Sequence, residues 1–190
     1  VLDNTPATLH VRLAALLHDV AKPVTFSLDE KGEGHFFNHN IVGEQMARAI
    51  LNRLKFSNDT VVAVTRLIKE HTSRYARIST SGLKRLIKRV GVENINDLFE
   101  LQLADVRGSA NPSGAGAVDR MREEANSILS SKEPLGVKDL AISGRDLIDM
   151  GFQPGPEMGK IIKDLLELVL EKPELNNREN LINLLRKRNK

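Results

Sequence analysis

Cysteine is absent from the 190-residue chain, which removes disulfide frameworks, thiolate nucleophiles and cysteine-ligated zinc and points to a reducing, cytoplasmic setting. Tryptophan is absent too, and one tyrosine and six phenylalanines are the only other large rings, so stacking platforms for single-stranded bases are scarce. No apolar run approaches the roughly 18 residues of a membrane helix, and no charged-then-apolar leader precedes a small-residue cleavage site. No stretch alternates apolar and polar residues at the period of a strand, and there is no internal repeat or low-complexity tract. What is present is ordinary for a folded protein: 41% hydrophobic and 28% charged residues, with a formal net charge of +3. A pI of about 9.2 tilts the chain gently toward a polyanionic partner. The length suffices for one large domain or one domain with a small appendage. Because Val1 opens on sequence that already reads as mid-domain, the chain is expected to be part of something longer.

Helical periodicity dominates and predicts an all-α fold. A helix is expected from Thr8 to Ala21, stopped by Pro23, followed by a loop or short hairpin in "SLDEKGEGHFF". Asn38 and Ser57 are placed to cap helices over His39–Leu54 and Asn58–Thr72. A short basic helix runs from Ser81 to Gly91 and another from Asn94 to Val106. "RGSANPSGAGA" reads as a loop tip or hinge, and a further helix covers Val118–Ser130. Beyond it "ISGRDLIDMG" forms a short helix with Ser143 as cap and Gly151 as stop. "PGPEMGKIIKDLLELVLEKP" makes a longer helix, and "NNRENLINLLRKRNK" a basic tail helix. Residues 1–130 are assigned to a first domain and 131–190 to a smaller helical subdomain.

Four of these helices carry an ionisable residue where an aliphatic one belongs. In the first, Leu9, Leu13, Leu16, Leu17 and Val20 form one apolar face and Val11, Ala14, Ala15 and His18 the other, so the helix reads as buried on both sides. His18 and Asp19 are then near-interior polar groups, which cost several kcal/mol, roughly, unless paired or bound to metal. In the second helix the stripe Met46, Ile50 and Leu54, with Val42, Gly43 and Ala49, extends back from Gly43 to His39. In the third, Val64, Leu67 and Ile68 lead to His71, and in the next, Leu98 and Leu101 lead to Asp105. A single such case is explained by a satisfied core histidine or a capping carboxylate. One divalent cation satisfies all of them at once, and imidazole with carboxylate suits Mn, Fe, Co, Ni or Zn.

An adjacent His-Asp pair with a distant Asp on helices resembles the HD-domain superfamily of metal-dependent phosphohydrolases. The resemblance implies that His18, Asp19 and Asp105 hold a divalent metal, drawn from Ni, Mn, Co, Fe, Zn or Mg. It implies that His39 and His71 join His18 and Asp19 in the catalytic set, and that His35 contacts phosphate. The signature's first His would lie just upstream of Val1; His10 shares the dyad's helix and does not replace it. "RLAALLHDVAKP", "GHFFNHNIVGEQMA", "LKFSND" and "ISGRDLIDMGFQPGPEMGKII" together are similar to the C-terminal region of bacterial tRNA nucleotidyltransferases, the CCA-adding and poly(A) polymerase family. That similarity implies a tRNA partner, and a phosphatase or 2′,3′-cyclic phosphodiesterase activity of the kind some members carry. "GSANPSGAGAVD" offers a Gly-Ser but no strand or paired carboxylates follow, so it is read as a loop and nucleotide addition by this chain alone is not expected.

Two basic features suit a polyanion. In "SGLKRLIKRVG" the apolar stripe Leu83, Leu86, Ile87 and Val90 leaves Lys84, Arg85, Lys88 and Arg89 opposite it, a strip that reads either as an RNA-backbone contact or as a solvated face. In "GFQPGPEMGK", Pro156 opens a helix and Lys160 supplies charge for a phosphate, or the helix packs closely through Gly159. The alternatives to a phosphohydrolase are an inert tRNA-positioning module whose His/Asp cluster is a relic, and a stand-alone nucleotide phosphohydrolase. The metal, the phosphate ester and the oligomeric state are not legible at this level.

Overall fold

Periodicity places most helices where the sequence puts them; of the caps expected at Asn38 and Ser57, Ser57 accepts from the Thr60 N–H, whereas Asn38, at φ 59°, makes no side-chain cap bond. The computed structural model of the chain describes residues 1–73, 78–109, 114–131 and 133–188. The elements run α1 (Leu9–Leu17), α2 (Lys22–Thr25), β1 (Phe26–Leu28), β2 (Gly34–Phe36), α3 (His39–Arg53), α4 (Asn58–Glu70), α5 (Thr80–Val90), α6 (Ile95–Gly108), α7 (Ala115–Ser131), α8 (Gly144–Asp149), α9 (Pro156–Glu171) and α10 (Arg178–Arg188). Among the described residues the fold is all-α apart from one antiparallel hairpin, in which Phe26, Ser27 and Leu28 pair with Phe36, His35 and Gly34. Residues 110–113 of "RGSANPSGAGA" and 189–190 of the basic tail lie outside the described residues. Among those described, no helix is long and apolar enough to cross a membrane.

The helices fall into two compact units, Val1–Ile78 with Arg89–Glu124, and Ser79–Lys88 with Ala125–Lys190. The units part within α7, and the segment Ser79–Lys88 joins the second because Lys84 and Arg85 bond to α9. In the first unit α1, α4 and α6 touch one another and α3 lies on α4. On α1, Val11, Ala14 and Ala15 are buried and Leu13 and Leu17 half-buried, whereas Leu9 and Leu16 are 55% and 63% exposed. Small residues let α1 approach its neighbours closely. On α3 the buried stripe is Gly43, Ala47 and Leu51, turned from the expected one, and Leu54 is exposed. Helix α1 also ends sooner than Ala21. The chain turns at His18–Ala21, and Pro23 stands in the first turn of α2 rather than closing α1, a position where its missing N–H costs nothing.

The second unit gathers Leu140, Ile142, Leu147, Ile161, Leu165, Leu166, Val169, Leu170, Leu181 and Leu185 into one core. Helix α8 begins at a capping box in which Asp146 accepts from the Ser143 backbone N–H and hydroxyl, both at 2.8 Å, and it is stopped by Gly151 at φ 92°. Those two bonds, with the Arg178 guanidinium, hold the Asp146 carboxyl down at about 2. A depressed carboxyl stabilises the fold above its ordinary value and loses that contribution as pH falls through the folded value. Asp146→Asn is therefore expected to lower the melting temperature at neutral pH, and the gap to the parent to close between pH 4 and pH 2. A gap that stays constant on thermal scans across that range contradicts the assignment.

Candidate metal centre

Three imidazoles stand at helix ends. His18 closes α1, His71 closes α4, and His39 opens α3 after Asn38, which takes φ 59°. Each ring turns Nδ1 to the carbonyl three residues before it: Ala15 at 2.9 Å, Ile68 at 2.6 Å and Phe36 at 2.8 Å. A carbonyl oxygen only accepts, so each Nδ1 donates to it, and each ring when neutral keeps its lone pair at Nε2. Two of those carbonyls belong to the open last turn of a helix, so the bond that completes α1 or α4 also sets the tautomer.

The Nε2 atoms converge on Asp19. Its Oδ2 lies 3.2 Å from His18 Nε2, and its Oδ1 lies 3.7 Å from His39 Nε2 and 3.9 Å from His71 Nε2. From α6, Asp105 Oδ1 comes within 3.5 Å of His18 Nε2, and the His39 and His71 Nε2 atoms are 3.2 Å apart. Two donors each about 2.1 Å from one ion lie about 3 Å apart when they subtend a right angle, so these are the spacings of ligands around a common cation. Donor atoms of His18, Asp19 and His71 all fall within 4.8 Å of one another.

The electrostatics favour a cation at the same place. His18 Nε2 is buried and makes no aligned hydrogen bond. Burial is the largest single influence on this ring and opposes its charge, yet Asp105 and Asp19 together outweigh it and push His18 up to about 9. Burial likewise opposes the charge on Asp19, but the His18 and Lys22 cations hold its carboxyl well below the usual range. Burial pushes His71 down to about 4, so a proton between His71 and His39 is disfavoured on the His71 side. Two lone pairs 3.2 Å apart repel unless a proton or a cation lies between them. The C-terminal ends of α1 and α4 also point their partial negative charge at the cluster. A buried His18 Nε2 with no aligned hydrogen bond, Nδ1-anchored rings and two carboxylates fit a divalent ion with N/O preference.

The structure thus brings together His18, Asp19, His39, His71 and Asp105. It adds two residues that periodicity did not single out. Lys22 donates to Asp19 Oδ2 at 2.7 Å, with its Nζ 5.6 Å from the centre of the Phe36 ring. Gln102, fully buried one turn before Asp105 on α6, donates to the His71 carbonyl at 3.2 Å. The signal for Lys22 was its i+3 spacing from Asp19, and for Gln102 a polar residue within an apolar stripe.

The other sequence candidates stand elsewhere. His35 faces the opposite side of β2 from Phe36, bonded to Asp29 Oδ2 at 3.0 Å and stacked on Phe37. Lys84 does not belong to an exposed basic strip. It is 1% exposed, donates to the Leu170 carbonyl at 3.2 Å and is ion-paired with Glu133, because its position faces the second unit's core. Arg85 is held by Glu167 and Glu171, and Arg89 by both oxygens of Glu70. Of the four, Lys88 and Arg89 are exposed. Lys160 is exposed in the first turns of α9, and a β-carbon at Gly159 would meet nothing within 4 Å, so close packing there is not the reason for that glycine.

A family model described as tRNA nucleotidyltransferase domain 2 matches residues 36–185. The chain belongs to this family. It is 34% identical over 172 residues to a CC-adding tRNA nucleotidyltransferase of Thermus thermophilus, covering 87% of this chain and 37% of that protein. It is 30% identical over 165 residues to an A-adding tRNA nucleotidyltransferase of Deinococcus radiodurans, covering 85% of this chain and 38% of that protein. A CCA-adding enzyme of Limosilactobacillus fermentum is 28% identical over 135 residues, covering 71% and 30%. The chain therefore spans about a third of the length of the curated relatives it matches. No solved structure matches it. Within this tRNA nucleotidyltransferase family member, the matched stretch includes His39, His71 and Asp105, while His18 and Asp19 precede it.

Proposed function

We propose that the first unit is an HD-type phosphohydrolase site, attached to a protein that works at the 3′ end of tRNA in the cytoplasm. The single observation that supports the site most is the arrangement of three Nδ1-anchored imidazoles, with Nε2 lone pairs facing the Asp19 and Asp105 carboxylates. The tRNA partner is inferred from the names of the relatives, which are nucleotide-adding enzymes. His18, Asp19 and Asp105, with His71, would hold the metal. A bound divalent cation supplies Lewis-acid chemistry, lowering the pKa of water and neutralising phosphoryl charge.

The residues divide the remaining work. Lys22 places an ammonium at the edge of the cluster, where a phosphate oxygen gains a charge-assisted partner. His39 is the most exposed of the three rings, 16% against 6% for His18 and 3% for His71, and its Nε2 is the atom placed to take or give a proton. Asp105 and Gln102 orient His18 and the end of α4. The substrate class is a phosphomonoester or 2′,3′-cyclic phosphate. Hydrolysis of 2′,3′-cyclic AMP by the chain with added Mn, Ni or Co is expected to fall by at least two orders of magnitude in His18→Ala. Turnover that is unchanged in that variant, or unaffected by chelation, refutes the proposal.

A further inference from the structure

The hairpin β1–β2 exposes apolar surface beside the donor cluster. Phe26 and Phe36 are cross-strand partners with ring centres 5.6 Å apart, and they remain 55% and 39% exposed. Val24 and Leu28 nearby are 67% and 63% exposed. A two-stranded hairpin is marginal in water by itself, and a contiguous exposed apolar patch marks a binding surface. Gly34 is part of the arrangement, since a β-carbon there would lie 2.8 Å from the Phe26 ring. Glycine is what lets that ring lie across the strands beside Phe36.

Two connections join this patch to the cluster. The Phe36 carbonyl accepts from His39 Nδ1 at 2.8 Å, and the Phe36 ring lies 5.6 Å from Lys22 Nζ, which is itself 2.7 Å from Asp19 Oδ2. Strand residues alternate faces, so His35 and Phe37 occupy the far side and the Phe26/Phe36 face is the one turned to Lys22. A ligand whose phosphate meets Lys22 would carry its next group onto an aromatic wall.

We infer that the Phe26/Phe36 face stacks the base of a nucleoside phosphate, making Phe36 a specificity-determining residue that selects nucleotides over base-free phosphate esters, an assignment that rests on the phosphohydrolase reading above. The occupant is a mononucleotide because the patch is two rings wide and continuous with a phosphate position. A flat, π-rich group attached through one sugar matches both.

The test is calorimetric binding of AMP and of ribose 5-phosphate to the chain in the presence of Mn, two ligands that differ only by the base. AMP is expected to bind about tenfold tighter, the scale of one base–aromatic stack. In Phe36→Leu, which keeps apolar bulk and loses the ring, that ratio is expected to fall toward one. In Phe37→Leu, on the far face, the ratio is expected to persist. Equal affinities in the parent, or an undiminished ratio in Phe36→Leu, overturn the base-stacking inference and leave the phosphate site standing. Failure of both esters to bind the parent overturns this inference and the phosphohydrolase reading together.

Discussion

Asp19→Asn is expected to weaken divalent-metal binding by about 100-fold or more while leaving the helices in place. Asp19 lies within 3.9 Å of all three Nε2 atoms. Asparagine keeps its size and removes its charge. It also introduces an amide N–H₂, which has no lone pair to offer a cation. Changes to groups that merely orient a ligand cost tenfold to 100-fold in affinity, so loss of the central carboxylate sets at least the upper end of that range. Titration calorimetry with Mn or Ni, beside circular dichroism to verify the fold, measures the difference. An affinity within threefold of the parent would mean that the cluster is a hydrogen-bonded core and not a metal centre.

Gly43→Leu is expected to lower stability by about 3 kcal/mol, the upper end of overpacking costs, and to weaken metal binding with it. A β-carbon at residue 43 would lie 3.5 Å from the His18 carbonyl, 3.6 Å from Ile68 Cγ2 and 3.7 Å from the Ala21 methyl. Those are ordinary contacts, so alanine fits, and its better helix propensity compensates for any small adjustment. The γ and δ carbons of leucine have nowhere to go without moving α3 off α4. His39 opens α3 and its Nε2 is 3.2 Å from that of His71 at the end of α4, so such a shift separates two members of the cluster. Urea unfolding and metal titration of Gly43→Ala and Gly43→Leu check both effects. If leucine is as well tolerated as alanine, the helix crossing does not position the cluster.

The convergence of His18, Asp19, His39, His71 and Asp105 was legible because inward-facing polar residues interrupt strong 3.6-residue patterns, and a pattern broken on several helices marks one shared interior point. What periodicity missed was local. It placed His18 inside a long helix, whereas the chain turns there, and the Nδ1 bond to Ala15 that sets the ring exists only because the helix ends. It counted Leu9 and Leu16 as core because α1 is apolar all round, and only packing distinguishes the face lined by Val11 and Ala14. Lys84 looked like part of a basic strip because a helical wheel does not know that Glu133 and the Leu170 carbonyl wait on that side. Lys22 escaped because its significance lies in a bond to Asp19 and in proximity to a ring fourteen residues further along.

The most direct test of the central claim is the metal content of the purified chain, measured by elemental analysis after equilibration with Mn, Ni, Co, Fe or Zn and removal of the unbound ion. The arrangement of donors predicts close to one divalent ion per chain in the parent and none in His18→Ala. A parent that retains no ion of any of these metals, or a His18→Ala variant that retains as much as the parent, would contradict it.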